Sequence, residues 1–237
     1  MNIQSLHQEL LSEIIKHSGQ PTKHTFLDSY LGNSHPRYPI SIPILRTVAK
    51  DWLKLQTLST VDFFQLISAL IMAPSSTEKM VAGILLDYAK ANLKEIDPNQ
   101  IDTWLNHLEG WAEIDTLCYG DFKVDDVLEN WVAWKKVLVK LNKDKNINKR
   151  RASLVLLCKP LTRSSDKRIA SLAFQFIESL KHEKEVLLTK AISWTLRSMV
   201  KLHRSDLKKY IQKNKSSLPA IAVRETLKKI ETGKKNG

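Results

Sequence analysis

Glycine and proline are scarce in this sequence, whose 237 residues include only seven glycines and eight prolines. An all-β fold of this length needs many tight turns, which these two residues usually supply. Leu, Ile, Lys and Ala instead fill long periodic segments, and hydrophobic residues make up 43% of the chain. We therefore expect an all-α protein with enough apolar surface for a sizeable core.

Long apolar runs are also missing. The longest, FFQLISALIMA from Phe63, spans about half of the roughly 20 residues that a membrane-crossing helix needs, and it contains Gln65 and Ser68. The N-terminal stretch MNIQSLHQELLSEII carries acidic residues and lacks the basic, apolar and small-residue layout of a secretory signal. These features predict a cytoplasmic protein without a membrane span.

Residues suited to metal or redox chemistry are few and scattered. Cys118 and Cys158 are the two cysteines and show no CxxC spacing, so we expect two buried thiols. The seven histidines form no HExxH motif, and the sequence contains neither a GxGxxG nor a Walker loop. We therefore expect no metal and no cofactor.

Acidic residues are scarce toward the C-terminal end of the chain. Residues 1–134 hold 10 Lys and Arg against 17 Asp and Glu, which gives a net charge of −7. Residues 135–237 hold 27 against 8, which gives +19. A solvated basic surface explains a small excess, whereas an asymmetry of this size favours binding to a nucleic acid.

Periodic segments alternate with short breaks that contain Pro, Gly or N-cap residues, such as HSGQPTK, APSST and RSSD. Helices are predicted over residues 3–18, 43–57, 60–72, 77–94, 98–109, 111–119, 124–141, 147–159, 165–180, 183–203, 205–213 and 218–231. The final TGKKNG, residues 232–237, is expected to be a flexible basic tail.

A weak repeat relates the most apolar helices. Similar segments begin at Met80, Trp111, Arg151 and Ala191, which are 31, 40 and 40 residues apart. This spacing is typical of HEAT-type helix pairs, which stack into a superhelix with a concave groove. We therefore predict a single repeat domain over residues 1–231, with an irregular helical bundle as the alternative. The predicted inner helices are 80–90, 111–120, 147–159 and 188–203.

The helix TKAISWTLRSMVK has a tryptophan on its polar side. Its apolar stripe consists of Ile192, Leu196, Met199 and Val200, and its opposite face consists of Lys190, Trp194, Arg197 and Lys201. One interpretation is that the indole packs against the next repeat. The other is that it is a platform for a flat or cationic ligand, flanked by cations that hold phosphates.

Two further groups of residues could carry chemistry. Trp111 and Asp115 are four residues apart and share one helix face, although a core indole and a capping or ion-paired carboxylate explain such an isolated pair more often. Lys149, Arg150 and Arg151 cluster at the start of a helix in NINKRRASLVLL. A helix N-terminus with three cations is suited to phosphate binding.

The segments GWAEID, KRRASLVLL and KAISWTLR, in this order and at these separations, resemble the DNA alkylation repair family of HEAT-like DNA glycosylases. The similarity extends to YPISIPILRTVAKDW and EKMVAGILLDYAK, and so spans nearly the whole chain. The resemblance implies an α-helical solenoid with a concave basic groove, which binds double-stranded DNA as a monomer. It also implies hydrolysis of the N-glycosidic bond of positively charged N3- and N7-alkylated purines.

Site residues follow from the same resemblance. Asp115 matches the family's catalytic carboxylate, and Trp111 and Trp194 match its two site tryptophans. Arg151 matches a backbone-contacting arginine of the family, and Arg197 lies where a further one is expected. The basic segments add Arg150, Lys190 and Lys201 as DNA-binding residues. Related members often carry an aromatic residue immediately before the first Trp, where this chain has Gly110, and this difference bears on substrate range.

Two other functions remain open at the level of sequence. A non-catalytic DNA-binding protein of the same family would need the basic residues but not Asp115 with both tryptophans. A protein-binding HEAT scaffold would explain the repeats but not the charge of +19 over residues 135–237. Salt-dependent binding to DNA separates the scaffold from the other two.

Overall fold

The computed structural model describes residues 2–20, 22, 32–88, 96–120 and 127–234, and regular structure in these residues is helical apart from one isolated bridge between Thr22 and Arg37. The helices are α1 (Ile3–Lys16), α2 (Ile42–Lys54), α3 (Thr60–Met72), α4 (Ser76–Tyr88), α5 (Pro98–Trp104), α6 (Gly110–Cys118), α7 (Trp131–Asn142), α8 (Ile147–Arg163), α9 (Lys167–Leu180), α10 (Val186–Ser198), α11 (Arg204–Asn214) and α12 (Ala220–Thr232). A 3-10 turn, Leu105–His107, follows α5. The prediction of an all-α fold is confirmed.

Each predicted helical segment overlaps one of these helices, although several predicted ends are wrong. Helix α2 stops at Lys54 rather than at residue 57, and α5 stops at Trp104 rather than at residue 109. Helix α8 does not stop at residue 159 but continues through Pro160 to Arg163. A proline near the end of a helix removes one hydrogen bond, and the amide of Ser164 still donates to the carbonyl of Pro160 at 2.9 Å. The helix therefore continues for three residues after Pro160 despite the missing hydrogen bond.

Helix α10 is shorter than the predicted 183–203, since it covers Val186–Ser198. The chain then turns, and the buried ring of His203 lies with its Nε2 2.9 Å from the carbonyl oxygen of Ser164. This long-range contact fixes the chain reversal before α11. Parts of two other predicted helices, residues 89–94 and 124–126, lie outside the described residues.

The helices group into two compact units, residues 1–122 (the N-terminal unit) and residues 123–237 (the C-terminal unit). The net charge of the sequence also changes sign between these two units. The N-terminal unit has 9 Lys and Arg against 14 Asp and Glu, and the C-terminal unit has 28 against 11. The single repeat domain over residues 1–231 stays a prediction.

In the N-terminal unit, α4 is the central helix and packs on α2, α3 and α6. A glycine permits its close approach to α6, because a Cβ atom built on Gly83 would lie 2.5 Å from the carbonyl oxygen of Thr116. No side chain fits there without movement of one backbone. The position of α6 therefore depends on Gly83.

In the C-terminal unit, α8 is central and packs on α7, α9 and α10, and α10 packs in turn on α12. Residues Arg151–Cys158 of α8 are all buried. The second helices of successive pairs thus stack on one another within each unit, as expected of helical repeats. The predicted inner segments correspond to α4, α6, α8 and α10.

Two smaller expectations can also be compared with the structure. Cys118 and Cys158 are both buried and free, which confirms the prediction of buried thiols. Across the part of the chain that the structure describes, no helix has the length and apolar character needed to span a membrane.

Candidate functional site

Trp111 and Asp115 lie on the same face of α6, and both side chains are half-buried. The opposite face carries Ile114 and Leu117, which are buried in the core of the N-terminal unit. The apolar contacts therefore orient the helix so that the indole and the carboxylate reach its accessible side. The sequence predicted this shared face from the spacing alone.

The start of α6 has an unusual backbone at Gly110, whose φ is +68°. The preceding residue, Glu109, has extended backbone angles and forms the N-cap. A residue with a side chain is disfavoured in the left-handed region by about 1–2 kcal/mol. The glycine at position 110 is thus matched to the local backbone.

A buried carboxylate holds the first turn of α6 in place. Glu113 is fully buried, and its Oε2 accepts a hydrogen bond from the backbone amide of Glu109 at 2.9 Å. Its Oε1 accepts from the Asn33 side-chain amide at 2.6 Å and lies 3.0 Å from Nδ1 of His35. Because a buried carboxylate needs such partners, this network ties α6 to the segment around residues 33–35.

The same network reaches α4 at two points. The Asn33 amide also donates to Oγ of Ser76 at 2.8 Å. Nζ of the buried Lys79 donates to the carbonyl oxygens of Ile71 at 2.7 Å and His107 at 2.9 Å. Burial lowers the pKa of Lys79, while Glu113 and Glu109 oppose that shift. Lys79 thus joins the end of α3 to the turn that precedes α6.

In the C-terminal unit, α10 divides its two faces as predicted. Ile192, Leu196, Met199 and Val200 are buried. On the other face, Lys190, Trp194 and Arg197 are half-buried. Lys201, which was predicted on the same face, is exposed in the turn after the end of α10. The indole of Trp194 therefore lies among cations at an accessible surface.

Arg197 is fixed by residues that the sequence analysis did not select. Its Nε lies 3.3 Å from Oε2 of Glu225 on α12 and donates to Oγ of Ser193 at 3.3 Å. The Ser193 hydroxyl itself donates to Oε2 of Glu225 at 2.6 Å. Burial lowers the pKa of Arg197, and the Glu225 carboxylate opposes the shift.

The cations at the start of α8 are held by protein groups. Arg151 is 4% exposed and donates from Nη1 to the carbonyl of Leu187 in the first turn of α10. Arg150 donates from Nη1 to the carbonyls of Asp144 and Lys145 at 2.9 and 2.8 Å, and its Nε lies 3.0 Å from Oε1 of Glu183. Both arginines therefore brace the fold, and their contacts with DNA stay a prediction.

The predicted residues thus fall into three groups. Trp111 and Asp115 share a face of α6, and Lys190, Trp194 and Arg197 share a face of α10, while Lys201 lies in the turn that follows α10. Arg150 and Arg151 lie in the first turns of α8, and Arg151 is linked to α10. Glu113 is four residues after the N-cap Glu109, one more than the capping-box spacing, although its carboxylate accepts from the N-cap amide in the same way. Ser193 and Glu225 gave no comparable signal.

The fold and these surfaces define an all-helical repeat protein with a cationic C-terminal unit. Its sequence matches the family model described as DNA alkylation repair enzyme over residues 11–230. The chain therefore belongs to the DNA alkylation repair enzyme family.

A solved structure shows the same fold. It is the structure of a predicted DNA alkylation repair enzyme from Enterococcus faecalis, which is 18% identical to this chain and superimposes with a TM-score of 0.69. The match covers 87% of this chain and 93% of that chain. No curated protein matches the sequence.

Proposed function

We propose that the protein is an alkylpurine DNA glycosylase of base excision repair, which hydrolyses the N-glycosidic bond of N3- or N7-alkylated purines in duplex DNA. Membership of the DNA alkylation repair enzyme family supports a repair enzyme. The observation that carries the finer proposal is the pair Trp111 and Asp115, an indole and a carboxylate one turn apart on the accessible side of α6.

A carboxylate is sufficient for this reaction because the alkylated purine is already a cation. As the C1′–N bond breaks, its electron pair leaves with the purine and cancels the positive charge. A water oxygen forms the new bond to C1′ and releases one proton to solvent. Asp115 stabilises the positive charge that develops on the sugar, and it orients the attacking water.

The two tryptophans account for selectivity. An indole face attracts a cation by about 0.5–2 kcal/mol, and more when water is excluded. Trp111 and Trp194 would therefore favour the charged lesion over a neutral nucleotide. The selection depends on charge rather than on the shape of the adduct.

The cations provide affinity for the duplex. Lys190 and Arg197 contact phosphates from the face of α10, and Lys201 does so from the turn that follows it. Arg150 and Arg151 provide further contacts near the start of α8. Such contacts position the protein but do not read sequence. We further propose that the enzyme acts as a monomer and leaves the damaged nucleotide stacked. A complex with lesion DNA in which the base lies in a protein pocket would contradict the stacked arrangement.

The decisive experiment is incubation of the protein with methylated duplex DNA, followed by identification of the released bases by mass spectrometry. We expect 3-methyladenine, 7-methylguanine or both. Unmethylated DNA of the same sequence is the control and should release no base. Salt-sensitive binding to duplex DNA with no base release from either substrate would favour the second candidate, a non-catalytic DNA-binding protein, which the 28 Lys and Arg of the C-terminal unit also support.

A further inference from the structure

Helices α10 and α12 bring two cations and one carboxylate to the same surface of the C-terminal unit. Arg197 belongs to α10, and Glu225 and Lys229 are one turn apart on α12. The ion pair between Arg197 and Glu225 fixes which side of α12 faces α10, with Nε 3.3 Å from Oε2. Residues four apart share a helix face, so Lys229 lies on that side too.

The carboxylate of this cluster is already engaged. Oε2 of Glu225 receives the Ser193 hydroxyl at 2.6 Å in addition to the Arg197 guanidinium. Among the residues that the structure describes, the Lys229 ammonium makes no hydrogen bond or ion pair, and it is half-buried. Its pKa is lowered by burial first and by the charge of Arg197 second. One positive charge is therefore left over.

Arg197 retains donors for a ligand. A guanidinium has five N–H donors, and the contacts with Ser193 and Glu225 both use Nε. A tetrahedral anion with several oxygens suits a planar guanidinium next to an ammonium, because it accepts from both at once.

We propose that Arg197 and Lys229 bind one phosphodiester group of the DNA backbone, with Ser193 and Glu225 fixing the orientation of Arg197. This proposal rests on duplex DNA being the substrate, as in the proposed function. It adds Lys229 to the DNA-binding residues and gives α12 a part in binding. The bound phosphate also relieves the repulsion between the two cations.

The chain provides a matched control for Lys229. Arg224 is an exposed cation five residues earlier on α12, and at 100° per residue the two positions are about 140° apart around the helix. Lys229→Gln and Arg224→Gln each remove one positive charge from the same helix. Lys229→Arg keeps the charge and the ability to bind phosphate.

The test measures binding of unmodified duplex DNA by fluorescence anisotropy over a range of salt concentrations. Lys229→Gln should weaken binding about five- to tenfold and lower the slope of log K against log salt concentration by about 1. Arg224→Gln should change affinity less than twofold, and Lys229→Arg should bind as the wild type does. Equal losses in Lys229→Gln and Arg224→Gln would show only a loss of net charge and would overturn the proposal.

Two readouts separate this proposal from others. If Lys229→Arg loses as much affinity as Lys229→Gln, the residue has a packing role and the phosphate site is wrong. If wild-type protein shows the Lys229 dependence yet releases no base from methylated DNA, the glycosylase proposal fails while the phosphate site stands. If the wild-type protein releases base but Lys229→Gln does not change the affinity, the phosphate site is wrong while the glycosylase proposal stands.

Discussion

The carbonyl oxygen of Thr116 occupies the place where a side chain at Gly83 would begin, 2.5 Å from the ideal Cβ position. Thr116 follows Asp115 directly, and its own Oγ1 donates to the carbonyl of Ala112 at 2.6 Å. The contact between α4 and α6 therefore helps to fix the position of α6, which carries the proposed catalytic carboxylate of Asp115.

Gly83→Ala is expected to lower the free energy of unfolding by about 1–3 kcal/mol, because the added methyl group forces two backbones apart. It should also reduce base release, since α6 shifts with Asp115 on it. Urea denaturation and the release assay measure the two effects. Gly19→Ala is a suitable control, since its Cβ would meet Pro39 at an ordinary 3.4 Å. A Gly83→Ala protein as stable as wild type would contradict the close approach.

Asp115→Asn is expected to reduce base release from methylated duplex DNA by about two orders of magnitude or more, the usual scale for loss of one electrostatic stabiliser. Binding to the duplex should change little, because the amide has the same shape. Single-turnover assays measure base release, and fluorescence anisotropy measures binding to the duplex. Asp51→Asn, at an exposed position of α2, should leave both unchanged. Release at the wild-type rate would remove Asp115 from the mechanism.

Trp194→Ala is expected to reduce discrimination between a cationic lesion and a neutral nucleotide by about two- to thirtyfold, the range that corresponds to one cation–π contact. The ratio of affinities for duplexes with and without a single cationic purine is the relevant measurement. Trp131→Ala, on α7 beside Arg168 at 5.3 Å, tests whether loss of any half-buried indole has the same result. Equal ratios in the wild type and Trp194→Ala would exclude an indole contact with the charged base.

Gly110→Ala is expected to cost about 1–2 kcal/mol of stability, because its φ of +68° lies where a Cβ atom is strained. Gly110→Asn should cost less, since asparagine tolerates this region better than alanine. Chemical denaturation of both variants measures the difference. Identical stabilities of all three proteins would mean that the backbone at this position adapts freely.

Glu78 gives the stability of the N-terminal unit a dependence on pH. Burial works against its charged form, but hydrogen bonds from His7 and Ser75 hold the pKa of Glu78 below its ordinary value. A carboxyl with a lowered folded-state pKa stabilises the fold above its unfolded-state pKa, and the contribution disappears as pH falls through the folded-state value. Glu78→Gln should therefore be less stable than wild type at pH 7.

The difference between Glu78→Gln and wild type should shrink as the pH falls below about 4.3, the ordinary glutamate pKa. Denaturant titrations between pH 7 and pH 3 measure it. Glu13→Gln, which removes a carboxylate paired with Lys16 at the surface of α1, is the comparison and should show a much smaller pH dependence. A constant gap between Glu78→Gln and wild type over this range would contradict the assignment.

Local periodicity was enough to predict the helices and the two faces of α10. The stripe of Ile192 and Leu196 and the opposite position of Trp194 follow from 3.6 residues per turn. The same rule placed Trp111 and Asp115 on one face. It says nothing about which residues of distant helices meet, and so it missed the contact of Arg197 with Glu225, 28 residues later.

The periodicity of the sequence also could not predict which polar side chains are buried. Arg151 stands in a run of cations, which is typical of a surface, yet its guanidinium is buried against the carbonyl of Leu187. Asn33 and His35 lie in a segment without periodicity and serve as partners of the buried Glu113. Their roles depend on an acceptor supplied by another part of the fold, which a single sequence does not reveal.

The two units carry net charges of opposite sign. A polyanion that diffuses toward it is attracted by the 28 Lys and Arg of residues 123–237 and repelled by the acidic excess of residues 1–122. Encounters with a polyanion are therefore favoured at the C-terminal unit. Raising the ionic strength shortens the range of this steering to a few ångströms, so the association rate should fall more steeply with salt than the rate of the chemical step.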